Sequence, residues 1–383
     1  MGKNNSNKPN KNNKNKVNHK SNSNKNSKNN VNNKRKQVGG NVKNIITENM
    51  YNLNNSSDNS KGYLDNSLNK GNKNNKGNGG NRGNRGNKGN KGNRGNEGNN
   101  NENKSYIINS NFKTNGPIIA FGDLHGDWNS TINLLLKANL IKKGPFGRWV
   151  WTGKNTFLVQ VGDQVDRKSR SNSNKDEASE LKIMKFMDQL HKQAVKENGA
   201  VLSLIGNHEL MNTLGDFSYA SPESIKSFGD KEGIGRLEAF RPGGWLAKYM
   251  ANNRYSNVRV NDWLFIHGGI NLKVAENYSL NEINYLIREY LLGNISKDDP
   301  KVDFLLHDNQ SIFWDRSLSG NKVNLQNVNK LLKKLNIRGC VVGHTPQNDI
   351  NSIANGKIWR IDIAASEAFG SNPNSRLDFL KLQ

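Results

Sequence analysis

An α/β fold is predicted for the C-terminal three quarters of this 383-residue chain, and three observations predict it. Short apolar runs, four of the five stopping at a glycine, alternate with stretches whose apolar residues recur at helical spacing. Composition also changes abruptly near residue 105. Residues 1–104 hold 38 Asn, 22 Lys or Arg and only 5 Asp or Glu, so they carry +17 of the total +24 and leave +7 on the rest. A segment so poor in apolar surface cannot offset the entropy of ordering it, and a disordered low-complexity tail is expected over 1–104. Residues 105–383 are enough for one large domain with its own core.

Within the tail, residues 79–98 repeat Gly-Asn-Arg or Gly-Asn-Lys triplets without proline, which reads as a flexible cationic linker rather than a triple helix. Val42, Ile45, Ile46, Met50 and Leu53 lie at roughly helical spacing, either a short helix that folds on a partner or chance clustering. Pro117–Phe121 is the first buried strand, followed by a helix carrying Trp128, Ile132, Leu135, Leu136 and Leu140. Thr156–Val161 is the second strand; residues 168–175 form an exposed loop before a helix over 177–197, and Ala200–Ile205 is the third strand. Residues 210–260, with Arg241-Pro242-Gly243-Gly244 inside, read as a mostly helical cap-like excursion. Leu264–Ile266 and Gly339–Val342 complete the strands.

The single cysteine, Cys340, excludes an internal disulfide and lies in an apolar run, as a buried structural thiol would. No run of 18 apolar residues exists, and the basic N-terminus lacks the apolar segment of a secretory signal. Met1-Gly2 with Ser6 fits an N-myristoylation pattern, a match that Asn-Lys filler produces easily. The expectation is an intracellular, cytoplasmic monomer with no membrane association.

Each of five strands runs into a motif, and a sixth motif stands apart. They are Gly122-Asp123-Leu124-His125-Gly126, Gly162-Asp163-Gln164-Val165-Asp166-Arg167, Gly206-Asn207-His208-Glu209, His267-Gly268-Gly269, Trp314-Asp315-Arg316 and Gly343-His344-Thr345. Any one could cap a helix or close a turn, but chance matches would not keep landing at strand ends, where open α/β sheets build their ligand sites. Together they offer carboxylate, amide and imidazole ligands suited to borderline divalent ions. Two such ions roughly 3.5 to 4 Å apart can activate a bridging hydroxide and clamp a phosphate, provided one carboxylate reaches both. Asp163 is the natural bridge, with Asp123 and His125 on the first ion and Asn207, His267 and His344 on the second. His208, beside Asn207 in sequence, is better placed as the general acid, its ring held by Asp166. Arg167, Asn207 and Arg316 are the expected phosphate contacts. Arg236 and Arg241 in the excursion could reach substrate or stay solvated, and His191 and His307 read as ordinary surface residues.

These motifs resemble the calcineurin-like metallophosphoesterases, within them the phosphoprotein phosphatases, and more closely the Shewanella-like protein phosphatases. Gly206-Asn207-His208-Glu209-Leu210-Met211-Asn212 running into Gly215-Asp216-Phe217 is similar to that subfamily's extended third motif. Gly343-His344-Thr345-Pro346-Gln347 followed by Trp359-Arg360-Ile361-Asp362 is similar to its C-terminal end. The resemblance covers residues 115–370. It implies a four-layer β-sandwich flanked by helices, two metal ions of the manganese, iron or zinc type, and hydrolysis of phosphomonoesters; a phosphoprotein substrate is expected, with phosphoserine or phosphothreonine favoured over phosphotyrosine. It also implies the ligand, acid and phosphate roles given above. Lys168 stands where the second motif continues with glycine, and Ala364-Ala365 replaces a glycine-containing stretch; neither removes a ligand.

The alternative within enzymes is a symmetrical dinucleotide tetraphosphatase, which shares the metal motifs. A different class is a polyanion- or nucleic-acid-binding protein acting through the tail, whose cations would neutralise phosphates without sequence preference. Only Tyr51 and Tyr63 are aromatic there, so base stacking has little support, and Asn-Lys filler accounts for the same composition.

Overall fold

The computed structural model describes residues 109–170, 176–229, 232–320, 323–370 and 376–382; the basic tail, its triplet repeat and the apolar cluster at 42–53 lie outside them. The strands are β1 (Asn111–Phe112), β2 (Ile118–Phe121), β3 (Ile141–Lys143), β4 (Trp149–Trp151), β5 (Phe157–Gln160), β6 (Ala200–Ser203), β7 (Asn257–Val260), β8 (Trp263–Ile266), β9 (Gly339–Val342), β10 (Asn351–Ile353), β11 (Ile358–Arg360) and β12 (Leu380–Leu382). The helices are α1 (Trp128–Lys137), α2 (Glu180–Lys196), α3 (Asn207–Thr213), α4 (Pro222–Lys226), α5 (Ile234–Phe240), α6 (Trp245–Asn253), α7 (Leu272–Asn277), α8 (Leu280–Leu292), α9 (Pro300–His307) and α10 (Leu325–Leu335).

Two sheets dominate. One has the order β12-β2-β5-β6 and the other β1-β7-β8-β9-β11-β10, with β3 and β4 as a separate hairpin. In the first, β2, β5 and β6 are parallel and β12 closes the edge antiparallel. In the second, β8, β9 and β11 are parallel.

Strand alternation explains how the layers stack. Ile118, Ala120, Phe157, Val159, Ala200 and Leu202 share one apolar cluster with Val258, Val260, Phe265 and Val341, so the two sheets face each other. The alternate residues Ile119, Phe121, Leu158 and Val201 pack on α1 and α2 through Leu134, Leu135, Ile183 and Leu190. On the far side Leu264, Ile266, Cys340 and Val342 meet Met250, Ile287, Leu305 and Leu331 of α6, α8, α9 and α10. The result is four layers, helix, sheet, sheet, helix, as the resemblance implied. Buried on both faces, these strands are continuously apolar, which is why they were legible as runs.

The 210–260 excursion is helical from α3 to α6. Leu246, Ala247 and Met250 are fully buried, so it builds core as well as passing the site. Burial pushes the Cys340 thiol up to about 12, which fits the structural reading. Among the described residues no helix is long and apolar enough to cross a membrane.

Candidate metal centre

Parallel strands end on the same edge of a sheet, so their following loops converge. Asp123 and His125 follow β2, Asp163 follows β5, and Asn207 opens α3 after β6; His267 follows β8 and His344 follows β9. Tight turns aim these side chains inward. His125 (φ 40°), Asp163 (φ 53°), Asp166 (φ 71°) and His344 (φ 63°) all sit in the left-handed region. Non-glycine residues enter it at a cost, so something must hold them there.

Glu209 is one such holder. Its carboxylate accepts the backbone N–H groups of Asp163 (3.0 Å), Gln164 (2.7 Å) and Gly206 (2.7 Å). Burial, then the neighbouring Asp163 charge, pushes the Glu209 carboxyl up to about 7. The sequence reading gave Glu209 no role, although its place three residues after Gly206 is the spacing of a helix-capping carboxylate. The carbonyl of Asp163 in turn accepts from Leu124 (3.0 Å) and His125 (2.9 Å), tying the first loop to the second. A side chain at Gly206 would put its Cβ 2.1 Å from Asp163 Oδ1, so glycine there is a steric requirement.

Asp163 belongs to two ligand sets. One is His125, Asp163 and His208; the other is Asp163, His267 and His344; within each, the ligating atoms lie within 4.8 Å of one another. His267 is anchored by Nδ1 to the Val161 carbonyl (2.9 Å), which turns Nε2 toward Asp163 Oδ2 (3.3 Å) and Asn207 Oδ1 (2.8 Å). His125 is anchored the same way, Nδ1 to the Val165 carbonyl at 3.2 Å, with Nε2 3.8 Å from Asp163 Oδ2. A ring nitrogen fixed on a carbonyl selects the tautomer whose other nitrogen is free to ligate.

His344 Nε2 is buried without a hydrogen-bond partner. A buried imidazole nitrogen left so is destabilising unless an ion or ligand satisfies it, and here it lies in a set of hard and borderline donors. Asp123 stands behind this set, both its oxygens near the His344 N–H (3.1 and 3.3 Å). Burial first, then the charges of Asp362 and Asp163, raise its pKa well above the ordinary carboxylate range. Asp362 itself is pushed to about 6, chiefly by burial. Three carboxylates desolvated together need cations nearby, so the residues present fit a two-metal centre.

His208 combines two relationships. Its Nε2 is 3.9 Å from Asp163 Oδ2, while Nδ1 pairs with Asp166 Oδ2 at 2.7 Å. Burial opposes its protonation, but the Asp163 charge and the Asp166 bond outweigh it and raise its pKa. Asp166 is braced in turn by Asn212 Nδ2 (2.9 Å) and Arg236 Nη2 (3.1 Å) on Oδ1.

Arg236 corrects an expectation. A solvated or substrate-facing side chain was allowed for it, yet it is wholly buried, bonding Glu180 (2.8 Å), Ser224 (2.7 Å) and Asn212 (2.7 Å) among the rings of Phe217, Phe228 and Phe240. Arg241 is solvated and pairs with Glu238. His307 is exposed on Asp303, as expected, whereas His191 is half-buried with Nδ1 accepting the Val201 N–H (3.1 Å).

Arg167, expected on phosphate, is buried. It is only 2% exposed, and its guanidinium faces Glu367 (3.2 Å), Asp127 (3.5 Å) and Glu177 (3.6 Å), so its fork is engaged by carboxylates below the loop. Arg316 is exposed and tethered by Nη1 to the His344 carbonyl (3.1 Å) and Thr345 Oγ1 (2.7 Å). It borders a cavity of about 610 Å³ whose wall includes Met211, Asp216 and Trp314.

A carboxylate shared by two histidine-bearing ligand sets, on the crest of a helix-flanked β-sandwich, defines a dinuclear phosphoesterase. Residues 116–348 match the calcineurin-like phosphoesterase family, and the chain belongs to that family; it is a metal-dependent phosphatase. It is 33% identical over 266 residues to Shewanella-like protein phosphatase 1 of Plasmodium berghei (strain Anka), covering 67% of this chain and 69% of that protein. Against Shewanella-like protein phosphatase 2 of Arabidopsis thaliana it is 28% identical over 310 residues, covering 69% and 75%. Its fold is similar to that of the cold-active protein-tyrosine phosphatase of a psychrophilic Shewanella species, with TM-score 0.56 and 23% identity over 73% of this chain and 78% of that one.

Proposed function

We propose that this chain hydrolyses phosphoserine or phosphothreonine in a protein substrate. Asp123, His125, Asp163, Asn207, His267 and His344 hold two divalent ions of the manganese, iron or zinc type, and His208 is the general acid. Bound ions of this kind polarise the phosphoryl group and lower the pKa of water. The chain's own residues do the rest. Asp166 takes His208 Nδ1, which leaves the Nε2 proton for the departing oxygen, and Arg236 and Asn212 keep Asp166 from turning. Arg316 offers a cation at the rim of the His344 loop.

The observation that carries this reading is the 2.7 Å His208–Asp166 contact beside the shared Asp163. A serine or threonine alkoxide leaves poorly without a proton, whereas a phenolate hardly needs one, so a braced acid favours alkyl phosphomonoesters. The protein phosphatases among the relatives support a protein substrate. In this reading residues 105–383 are the catalytic unit and residues 1–104 modulate association with polyanions. A panel of phosphoserine, phosphothreonine and phosphotyrosine peptides, a small aryl phosphate and a diadenosine polyphosphate tests it. Highest kcat/KM on the first two supports it, while preference for phosphotyrosine or the dinucleotide contradicts it.

A further inference from the structure

Arg170, three residues beyond Arg167, is held by aromatic rings rather than by a carboxylate. Its guanidinium lies between two rings, 4.6 Å from the centroid of Phe369 and 5.2 Å from that of Tyr219. Those rings touch site histidines: Phe369 is 5.2 Å from the His125 ring, and Tyr219 is 4.9 Å from the His208 ring. The side chain is half-buried, and its only hydrogen bonds run from Nη1 to the carbonyls of Asp166 (3.3 Å) and Lys168 (3.2 Å). Among the described residues no carboxylate lies within ion-pair distance of it, and Nε and Nη2 have no protein partner. Arg167, Arg236 and Arg254 each have at least one such carboxylate.

The local backbone is built to keep it there. The Arg170 N–H donates to the Ala368 carbonyl (2.6 Å). Lys168 donates through its backbone N–H to the Tyr219 carbonyl (2.9 Å) and through Nζ to the Ser218 carbonyl (3.0 Å). The lysine that departs from the family pattern thus pins the loop to Tyr219, one of the two rings. An unpaired guanidinium caged by aromatic faces keeps its fork free and its orientation fixed, which suits an oxyanion such as phosphate that offers two of its oxygens to the fork.

We infer that Arg170, clamped by Phe369 and Tyr219, is the phosphate-gripping cation on the His125 side of the centre, taking the place expected of Arg167. Arg316 supplies the second cation on the His344 side. The ligand class is a phosphomonoester dianion or the inorganic phosphate it releases, and the inference rests on the phosphatase reading above.

The test uses the full metal-loaded chain with inorganic phosphate and tungstate as probes, by calorimetry and as competitive inhibitors of aryl phosphate hydrolysis. Arg170→Gln should weaken phosphate binding by about 10- to 100-fold, as loss of charge-assisted hydrogen bonds does. KM should rise, and metal content and thermal midpoint should stay as in the wild type. Arg170→Lys keeps the charge without the fork and should recover part of the loss. Tyr219→Leu, which opens the clamp, should show a smaller loss in the same direction. Unchanged phosphate affinity in Arg170→Gln at full metal occupancy would overturn the assignment. If the wild type binds phosphate, Arg170→Gln does not, and no phosphomonoester is hydrolysed, the assignment stands and the phosphatase reading fails.

Discussion

The two sides of Asp163 are built differently. On the His208 side protein groups satisfy one another: His208 pairs with Asp166, Asp166 with Asn212 and Arg236, and Arg236 with Glu180. On the His344 side the ring nitrogen Nε2 has no protein partner, and Asp123 and Asp362 are raised by burial in a crowd of carboxylates. One side carries its geometry within the fold. The other is completed by what it binds. In the proposed mechanism, holding a proton donor still and accepting ions fall to different halves of the site.

The largest expected effect breaks both halves of function at once while separating them in structure. Chelation of the metal ions should bring turnover to background, restored by adding manganese, iron or zinc. Amide hydrogen exchange should then quicken in the His344 loop and change little at Asp163, Gln164 and Gly206, whose backbone N–H groups the Glu209 carboxylate accepts without help from an ion. Equal loosening of both segments would dissolve the distinction. Next, His208→Asn should retain metal yet lower turnover on alkyl phosphates by roughly 10²- to 10⁴-fold, with a smaller loss on an aryl phosphate. An equal loss on both substrates would count against the acid role.

Arg236→Met sharpens the braced half. It leaves Asp166 and Glu180 buried without their cation, at a cost of about 3–5 kcal/mol in denaturant unfolding. Burial opposes ionisation of Glu180, but Arg236 holds its pKa below the ordinary value. A lowered carboxyl contributes stability that is present above its unfolded pKa and lost as pH falls through the folded one. The variant should therefore lose less stability on acidification than the wild type does. The smallest effect should come from deleting residues 1–104, because every candidate ligand lies beyond residue 120. Turnover on a small aryl phosphate should stay within about twofold. Retention on heparin should weaken and be salt-dependent.

Much of this was legible from strings of residues. Apolar runs buried on both faces announced β2, β5, β6, β8 and β9, and the motifs at their ends gave Asp163 and the histidines around it. What stayed hidden depends on contacts distant in sequence. Arg236 looks like any helix-surface arginine until the chain folds Asp166, 70 residues earlier, against it. Arg167 sits in the expected motif, but Glu367, 200 residues on, occupies its fork. Arg170 carries no motif at all, and its aromatic clamp comes from two loops with no sequence signal linking them. Pattern reports which residues lie at strand ends, whereas partner choice among charges is decided by tertiary geometry.

The central claim is that Asp163 is shared by two ions and that turnover depends on both. Elemental analysis of the purified chain alongside its rate, for wild type and Asp163→Asn, tests this most directly. About two ions per wild-type chain, with lowered occupancy and background turnover in the variant, are the expected results. A wild type fully active with one ion, or an Asp163→Asn variant that keeps two ions and full turnover, would contradict it.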